Sequence, residues 1–295
     1  MQKEGQLKIL FVINPVSGGK KKTNWEEQIR SYFKESHHSM EFFLLSGESD
    51  SASVKNHLET VEPDRVVAVG GDGTVKLLAE ILKHTNIPLG IIPAGSANGM
   101  ATELGIPLDV TAALEVVLQG KEKSLDLIRI NEDQSCIHLS DLGLNAMLVK
   151  YFEGSKKRGM WGYGRAIFRV LWKKQKLYAT IQTDTDTIKR KAYMIVLANA
   201  RKYGTGANIN PDGDVADGFF EVVVVRKLNL LEILKALFTN RSFNGTRIEV
   251  IKTKTVQLQL LKHTYFQVDG EYLGKTAKLE ARILPGALVV MLPRS

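Results

Sequence analysis

Two domains of different class are expected: an N-terminal α/β domain over 1–124, with a parallel sheet and flanking helices, and a β-rich, sandwich-like domain over 125–295. Three observations predict this. Strand-like apolar runs alternate with helical spacing up to about Gln119. Three of those runs end in turns rich in Gly, Ser or Pro. From Leu125 onward, short apolar runs separated by turn residues dominate. A chain of 295 residues suits two cores at roughly 100–200 residues each.

In chain order, Leu7–Ile13 reads as a strand that stops at Asn14-Pro15-Val16-Ser17-Gly18-Gly19, with Lys20, Lys21 and Lys22 behind it. Trp25, Ile29, Tyr32 and Phe33 recur at helical spacing, and Met40–Leu45 forms the next strand. A helix over Ala52–Thr60 leads to the strand Arg65–Val69, the turn Gly70–Thr74 and a helix over Val75–Lys83. Leu89–Ile92 is a short strand closed by Pro93–Gly99, and helical patterns follow at Met100–Leu104 and Val110–Gln119. The later strands are expected at Asp126–Ile130, Ile137–Leu142, Tyr178–Gln182, Ala192–Ala198, Phe219–Val225, Val256–Leu260, Tyr265–Val268, Lys278–Ile283 and Leu288–Leu292. Helices over Trp161–Lys174 and Leu230–Thr239 interrupt them.

With 44% hydrophobic and 24% charged residues the composition is that of a folded protein. The longest apolar run, around Phe219–Val225, is far too short to span a bilayer. No leader pattern opens the chain and Cys136 is its single cysteine, so a cytoplasmic protein is expected. The net charge of +8 favours anionic partners. It does not choose among them, but no zinc, RNP or helix-turn-helix signature accompanies it and nucleic acid is not expected.

Gly70-Gly71-Asp72-Gly73-Thr74 leaves the carboxyl end of a parallel strand and opens a helix, where α/β sheets bind phosphates. Glycine lets the backbone approach a polyanion. A carboxylate beside phosphates needs a metal or a proton to justify it, so Asp72 is a metal contact or a general base, or else only a helix cap. Asn14–Gly19 and Pro93–Gly99 follow strands of the same sheet, so three loops with the hydroxyls of Ser17, Thr74 and Ser96 would wrap a triphosphate. A P-loop string is absent.

The strings NPVSGG, VVAVGGDGT, GIIPAGSANGMA, GTGANINPDGDVADGFFEVVVV and FQVDGE fall in the order and spacing of the diacylglycerol kinase catalytic family, which the chain resembles from Leu7 to about Pro293. That family includes sphingosine kinases and bacterial lipid kinases and is similar to NAD kinases in fold. The resemblance implies an ATP-dependent lipid kinase of two domains with its active site between them. It assigns ATP contacts to Asn14, Pro15, Val16, Ser17, Gly18, Gly71, Asp72, Gly73, Thr74 and Ser96. It makes Asp72 and Glu271 catalytic, Glu271 matching the proton acceptor of bacterial members. It also implies a Mg²⁺ site at Asp214, Asp217 and Phe219, with the Asp217 carboxylate and the main chains of the other two as ligands. Read from the residues, Pro211–Gly218 is a turn with three Asp, suited to a hard cation or simply to an acidic β-turn.

Departures bear on the substrate. Lys76 and Leu77 stand where many members carry Asn-Glu, and Asn145 in Leu144-Asn145-Ala146 replaces the usual Asp. Diacylglycerol, a long-chain base and another lipid alcohol all stay open. Lys156, Lys157, Arg158, Arg165, Arg169, Lys173 and Lys174 interleave with Trp161, Tyr163, Phe168 and Trp172, the pattern of a helix in an anionic lipid interface or of one packed on the β-rich domain. Transient membrane association is expected, and an edge strand would serve a homodimer. The rival readings are an NAD-kinase-like phosphotransferase on a soluble substrate and a catalytically silent nucleotide-binding regulator.

Overall fold

A computed structural model describes residues 5–18, 24–47, 50–153, 175–201, 209–227 and 248–294. Gly19 with Lys20–Lys22, the basic aromatic stretch Lys156–Lys174 and the helix expected at Leu230–Thr239 lie outside the described residues. The chain divides into two units, Met1–Leu125 with Gly286–Ser295, and Asp126–Pro285. The first boundary falls one residue from the expected one, while the last ten residues join the first unit. They do so because Val290, near the chain's end, pairs in parallel with Leu89.

Unit 1 is an α/β layer structure. Its elements are β1 (Lys8–Ile13), α1 (Trp25–Tyr32), β2 (Ser39–Leu44), α2 (Asp50–Val61), β3 (Arg65–Gly70), α3 (Asp72–Leu82), β4 (Leu89–Pro93), α4 (Gly99–Glu103) and α5 (Val110–Gln119). The sheet runs β4-β3-β1-β2, and every pairing along that path is parallel. Ile9–Val12 and Val66–Val69 are fully buried, which is why these strands read as unbroken apolar runs. From β1 the chain goes to β2 on one side and then crosses to β3 on the other. The carboxyl ends of β1 and β3 therefore flank the point where the winding reverses, the place where open α/β sheets bind ligands.

Unit 2 is antiparallel. It takes in the second half of β5 (Lys121–Ile130), then β6 (Gln134–Cys136), β7 (Leu139–Gly143), α6 (Leu144–Glu153), β8 (Leu177–Thr183), β9 (Thr187–Ala192), β10 (Met194–Ala198), β11 (Phe220–Val225), β12 (Ile248–Thr253), β13 (Thr255–Val268) and the first part of β14 (Glu271–Leu292). Its strands follow the order β12-β11-β10-β7-β13-β14, with β8 and β9 branching from β13. Along β10 and β11, Ile195, Leu197, Val222 and Val224 enter one apolar cluster while Val196, Ala198, Val223 and Val225 enter another. Successive side chains thus fill opposite faces, with core on both sides of these strands.

Several elements differ from expectation, among them β6, β9 and β12, which were not anticipated. Val256–Leu260 and Tyr265–Val268 are one strand, β13, with register shifts between Gln259 and Thr264 and between Tyr265 and Gln267, where the exposed Leu261, Lys262 and His263 break the alternation. Lys278–Ile283 and Leu288–Leu292 are likewise one strand, β14, in which Pro285-Gly286 marks the change of unit instead of a turn between strands. Helix α6 was not anticipated, because Leu144-Asn145-Ala146 carries no N-capping hydroxyl or Pro of the usual kind. Among the described residues no helix is long and apolar enough to cross a membrane.

Candidate functional site

In unit 1 the three glycine-bearing loops come together. Asn14, just past β1, donates its backbone N–H to Val69 O at 2.9 Å. Its side chain holds the loop on itself, accepting from Val16 N at 3.1 Å, and reaches Thr74 Oγ1 at 3.5 Å. Gly18 has φ +81, and a Cβ there would stand 3.0 Å from Ala94 O, which ties the first loop to the third. Gly71 and Gly95 meet backbone to backbone: a Cβ on Gly95 would lie 2.5 Å from Gly71 Cα. Glycine is required at that crossing for want of space.

Helix α3 begins at this junction. Its N-cap, Gly71, brings no side chain to the first-turn amides, so the helix presents N–H groups and the positive end of its dipole where the loops converge. Thr74 is buried behind them, whereas Gly73 and Ser96 are exposed. The carboxylate of Asp72 is committed elsewhere. Its two oxygens accept from Gly99 N and Met100 N, both at 3.0 Å, so Asp72 caps the N-terminus of α4. Asn98, left-handed at φ 50, closes the third loop by accepting from Gly95 N at 2.8 Å and donating to Gly95 O at 2.9 Å.

In unit 2, Val268 pairs with Glu271 across a two-residue hairpin loop, Asp269-Gly270, with φ +48 and +87. An Asp-Gly pair at positive φ is the strongest short hairpin signal, so the turn carrying Glu271 follows from local sequence. Asp269 fastens it. Its Oδ2 accepts from Ile137 N at 3.0 Å, its Oδ1 accepts from His138 N and Leu139 N at 2.9 and 3.1 Å, and Cys136 Sγ lies 3.3 Å from Oδ1. Glu271 is exposed at the head of β14.

The acidic turn of unit 2 lies at 211–219. Asp214 Oδ1 accepts from Ala216 N at 3.1 Å and Asp217 Oδ1 from Phe219 N at 3.0 Å. Asp217 Oδ2 takes Lys252 Nζ at 2.6 Å, and that carboxylate holds the lysine above its ordinary pKa. Oxygen donors suit magnesium in kind. The charge of Asp217 is already answered, however, and a cation there has to displace the Lys252 ammonium. Among the described residues no group of three or more His, Cys, Asp or Glu stands in ligating geometry.

Buried polar residues that motif reading passed over support these turns. Asp126, 3% exposed, accepts from Gly218 N at 2.6 Å and so binds the acidic turn to β5. Glu221 is buried in β11, which pushes its carboxyl above the usual range, and Asn210 Nδ2 donates to it at 2.6 Å. A carboxylate inside an apolar strand pattern was the available signal for both.

Parallel strands ending in phosphate-type loops, joined to a β-rich unit with an acidic turn and a fastened carboxylate hairpin, define a two-unit kinase of the lipid- and NAD-kinase architecture. Residues 8–130 match the model of the diacylglycerol kinase catalytic domain, and 141–292 match that of the YegS C-terminal NAD kinase beta sandwich-like domain. The chain belongs to the diacylglycerol kinase catalytic family. It is 28% identical over 241 residues to a diacylglycerol kinase of Mycobacterium tuberculosis, covering 78% of this chain and 77% of that one. With a diacylglycerol kinase of Staphylococcus aureus it shares 29% over 220 residues, 72% of this chain and 69% of the other. A diacylglycerol kinase structure from Bacillus anthracis superposes with a TM-score of 0.74 at 17% identity, covering 97% and 96% of the two chains.

Proposed function

We propose that this protein transfers the γ-phosphate of ATP to the hydroxyl of a membrane lipid, diacylglycerol or a related lipid alcohol. The observation that carries the reading is the junction of three loops over the uncapped N-terminus of α3. Main-chain amides of Gly18, Gly71, Asp72, Gly73 and Ser96 and the hydroxyl of Ser17, with Asn14, Pro15 and Val16 framing the first loop, are assigned to the nucleotide. Thr74 stands behind them. Backbone donors of this kind neutralise a triphosphate without lysine ligands and remain fixed as charge shifts during transfer.

Phosphoryl transfer asks for alignment and charge compensation. The lipid oxygen attacks the γ-phosphorus, a new O–P bond forms, the bond to the β-phosphate bridging oxygen breaks, and ADP leaves. The hydroxyl proton passes to a carboxylate. We assign that role to Glu271, because its exposed carboxylate sits on a fastened turn, whereas both oxygens of Asp72 are engaged by amides. Asp72 orients the nucleotide loops. Bound with ATP, magnesium would supply further charge neutralisation. At the acidic turn, the Asp217 carboxylate with the main chains of Asp214 and Phe219 would hold a further ion only once Lys252 has moved away. The net charge of +8 suits work at an anionic bilayer surface.

Incubating the purified chain with labelled ATP, Mg²⁺, NAD and mixed micelles of diacylglycerol, monoacylglycerol or a long-chain base tests the reading. Label in lipid is the expected result. Label in NAD alone assigns the protein to soluble substrates, and nucleotide binding without product makes it a regulator.

A further inference from the structure

Beneath the Glu271 hairpin lies a chain of buried polar groups that no motif announces. Asp141, in β7, is fully buried. Its Oδ1 accepts from Ala146 N at 2.8 Å, near the start of α6. Its Oδ2 accepts from Asn145 Nδ2 at 2.6 Å and from Gln267 Nε2. Gln267 is 2% exposed and pairs with Asp141 across β13 and β7. Its Oε1 in turn accepts from Gly270 N at 2.7 Å, in the residue immediately before Glu271.

The hydrogen bonding at one end sets the geometry at the other. Asp141 accepts from the Ala146 N–H and the Asn145 amide, so Gln267 turns its NH₂ toward it, and the glutamine oxygen then faces the Gly270 N–H. Asn145 completes the logic. The usual Asp at that position would set a second carboxylate against a buried one, a repulsive pair, whereas Asn donates. The departure from the family pattern and the buried acid at 141 form a matched pair.

We infer that Asp141 is a positioning residue for Glu271, acting through the Gln267 amide and the Gly270 N–H, with Asn145 as its obligatory neutral partner. This rests on the reading of Glu271 as proton acceptor. In Asp141→Asn an NH₂ replaces the acceptor facing Gln267, the glutamine amide turns over, and Gly270 N–H loses its oxygen. In Asp141→Asn/Gln267→Glu the carboxylate moves one link along, accepting from the new amide at position 141 and from Gly270 N–H together, while the part-exposed Asn145 amide rotates to suit.

The test measures turnover on whichever lipid of the micelle panel gives the highest rate, together with amide hydrogen exchange at Gly270, at a temperature where every variant is folded. Asp141→Asn is expected to lose roughly 10- to 100-fold in kcat with KM for ATP unchanged, and to exchange faster at Gly270. The double variant is expected to regain most of both. Should Asp141→Asn fail to fold, Gln267→Met breaks the same link while leaving Asp141 the Ala146 N–H and the Asn145 amide, and the same loss is expected. Wild-type kcat and wild-type exchange in the folded link-breaking variant overturn the inference, as does a double variant that regains Gly270 protection without regaining kcat. Glu271→Ala separates the two levels. If it is inactive while Asp141→Asn is normal, only the positioning role falls, and if it turns over at the wild-type rate, the base assignment falls and the inference with it.

Discussion

The two units hold their functional groups in opposite ways. Unit 1 uses backbone: Gly71 and Gly95 touch main chain to main chain, and the one acid in the loops, Asp72, serves as a cap between them. Unit 2 uses side chains: the buried Asp126, Asp141 and Gln267 and the half-buried Asp269 each accept from backbone amides of a turn, a strand start or a helix start. A phosphate cradle must present N–H groups and exclude side chains, whereas a proton acceptor must be one side chain held in place. The contrast teaches that conservative substitutions should act by different routes in the two units: by volume in the first and by hydrogen-bond polarity in the second.

The largest expected effect separates the two acids. Glu271→Ala should lose roughly 100- to 10,000-fold in kcat while binding ATP normally, as expected for loss of a general base. Asp72→Ala should instead uncap α4, costing about 0.5–2 kcal/mol of stability and weakening ATP binding. Equilibrium nucleotide binding and single-turnover rates on both variants check this. A loss of chemistry with intact ATP affinity in the Asp72 variant would reverse the two roles.

Gly95→Ala comes next. The added methyl would lie 2.5 Å from Gly71 Cα and 2.9 Å from Asn98 Oδ1, so two loops must part. Overpacking of this order costs about 1–3 kcal/mol and should raise KM for ATP with little change in the lipid KM. Gly73→Ala is the control for stability, since a Cβ there meets no protein atom within 4 Å. Thermal melts with and without ATP would show the contrast.

How far each unit could be read from sequence follows the same division. Gly70-Gly71-Asp72-Gly73-Thr74 and Asp269-Gly270-Glu271 are local: a strand end, a positive φ and a hairpin are encoded within a few residues, and both lay where the pattern put them. The link from Asp141 to Gln267 is not local. Gln267 is 126 positions away and became a neighbour only through β13–β7 pairing, which no periodicity in either strand specifies. Asp72 shows the reverse limit. Its position in the motif was plain, but its engagement with Gly99 and Met100 depends on the meeting of two loops 27 residues apart. The second boundary of unit 1 was missed for a like reason, since Val290 beside Leu89 is a long-range pairing.

The acidic turn tests whether unit 2 takes an ion of its own. Lys252→Gln removes the ammonium from Asp217 and should leave the turn dependent on added cation. Its melting temperature should rise with millimolar Mg²⁺ and fall in EDTA, while the parent responds weakly in the absence of ATP. Equal Mg²⁺ responses in the two proteins would show that Lys252 does not compete at this turn.

The smallest effect concerns an ion pair that belongs to neither site. Arg190 on β9 grips Glu249 on β12, with Nε 2.8 Å from Oε2 and Nη2 2.7 Å from Oε1. The Arg190 hydrogen bonds hold the Glu249 pKa below the ordinary carboxylate value. A depressed carboxylate contributes stability above its unfolded pKa, near 4.3, and that contribution is lost as pH falls through the lower folded value. Glu249→Gln should therefore be less stable than the parent by about 0.2–1 kcal/mol at neutral pH, because the pair is partly exposed. The gap should close in acid. Chemical denaturation of both proteins from pH 7 down to about 3 measures it, and a gap independent of pH would mean that the side chains contribute by packing between β9 and β12 and not by charge.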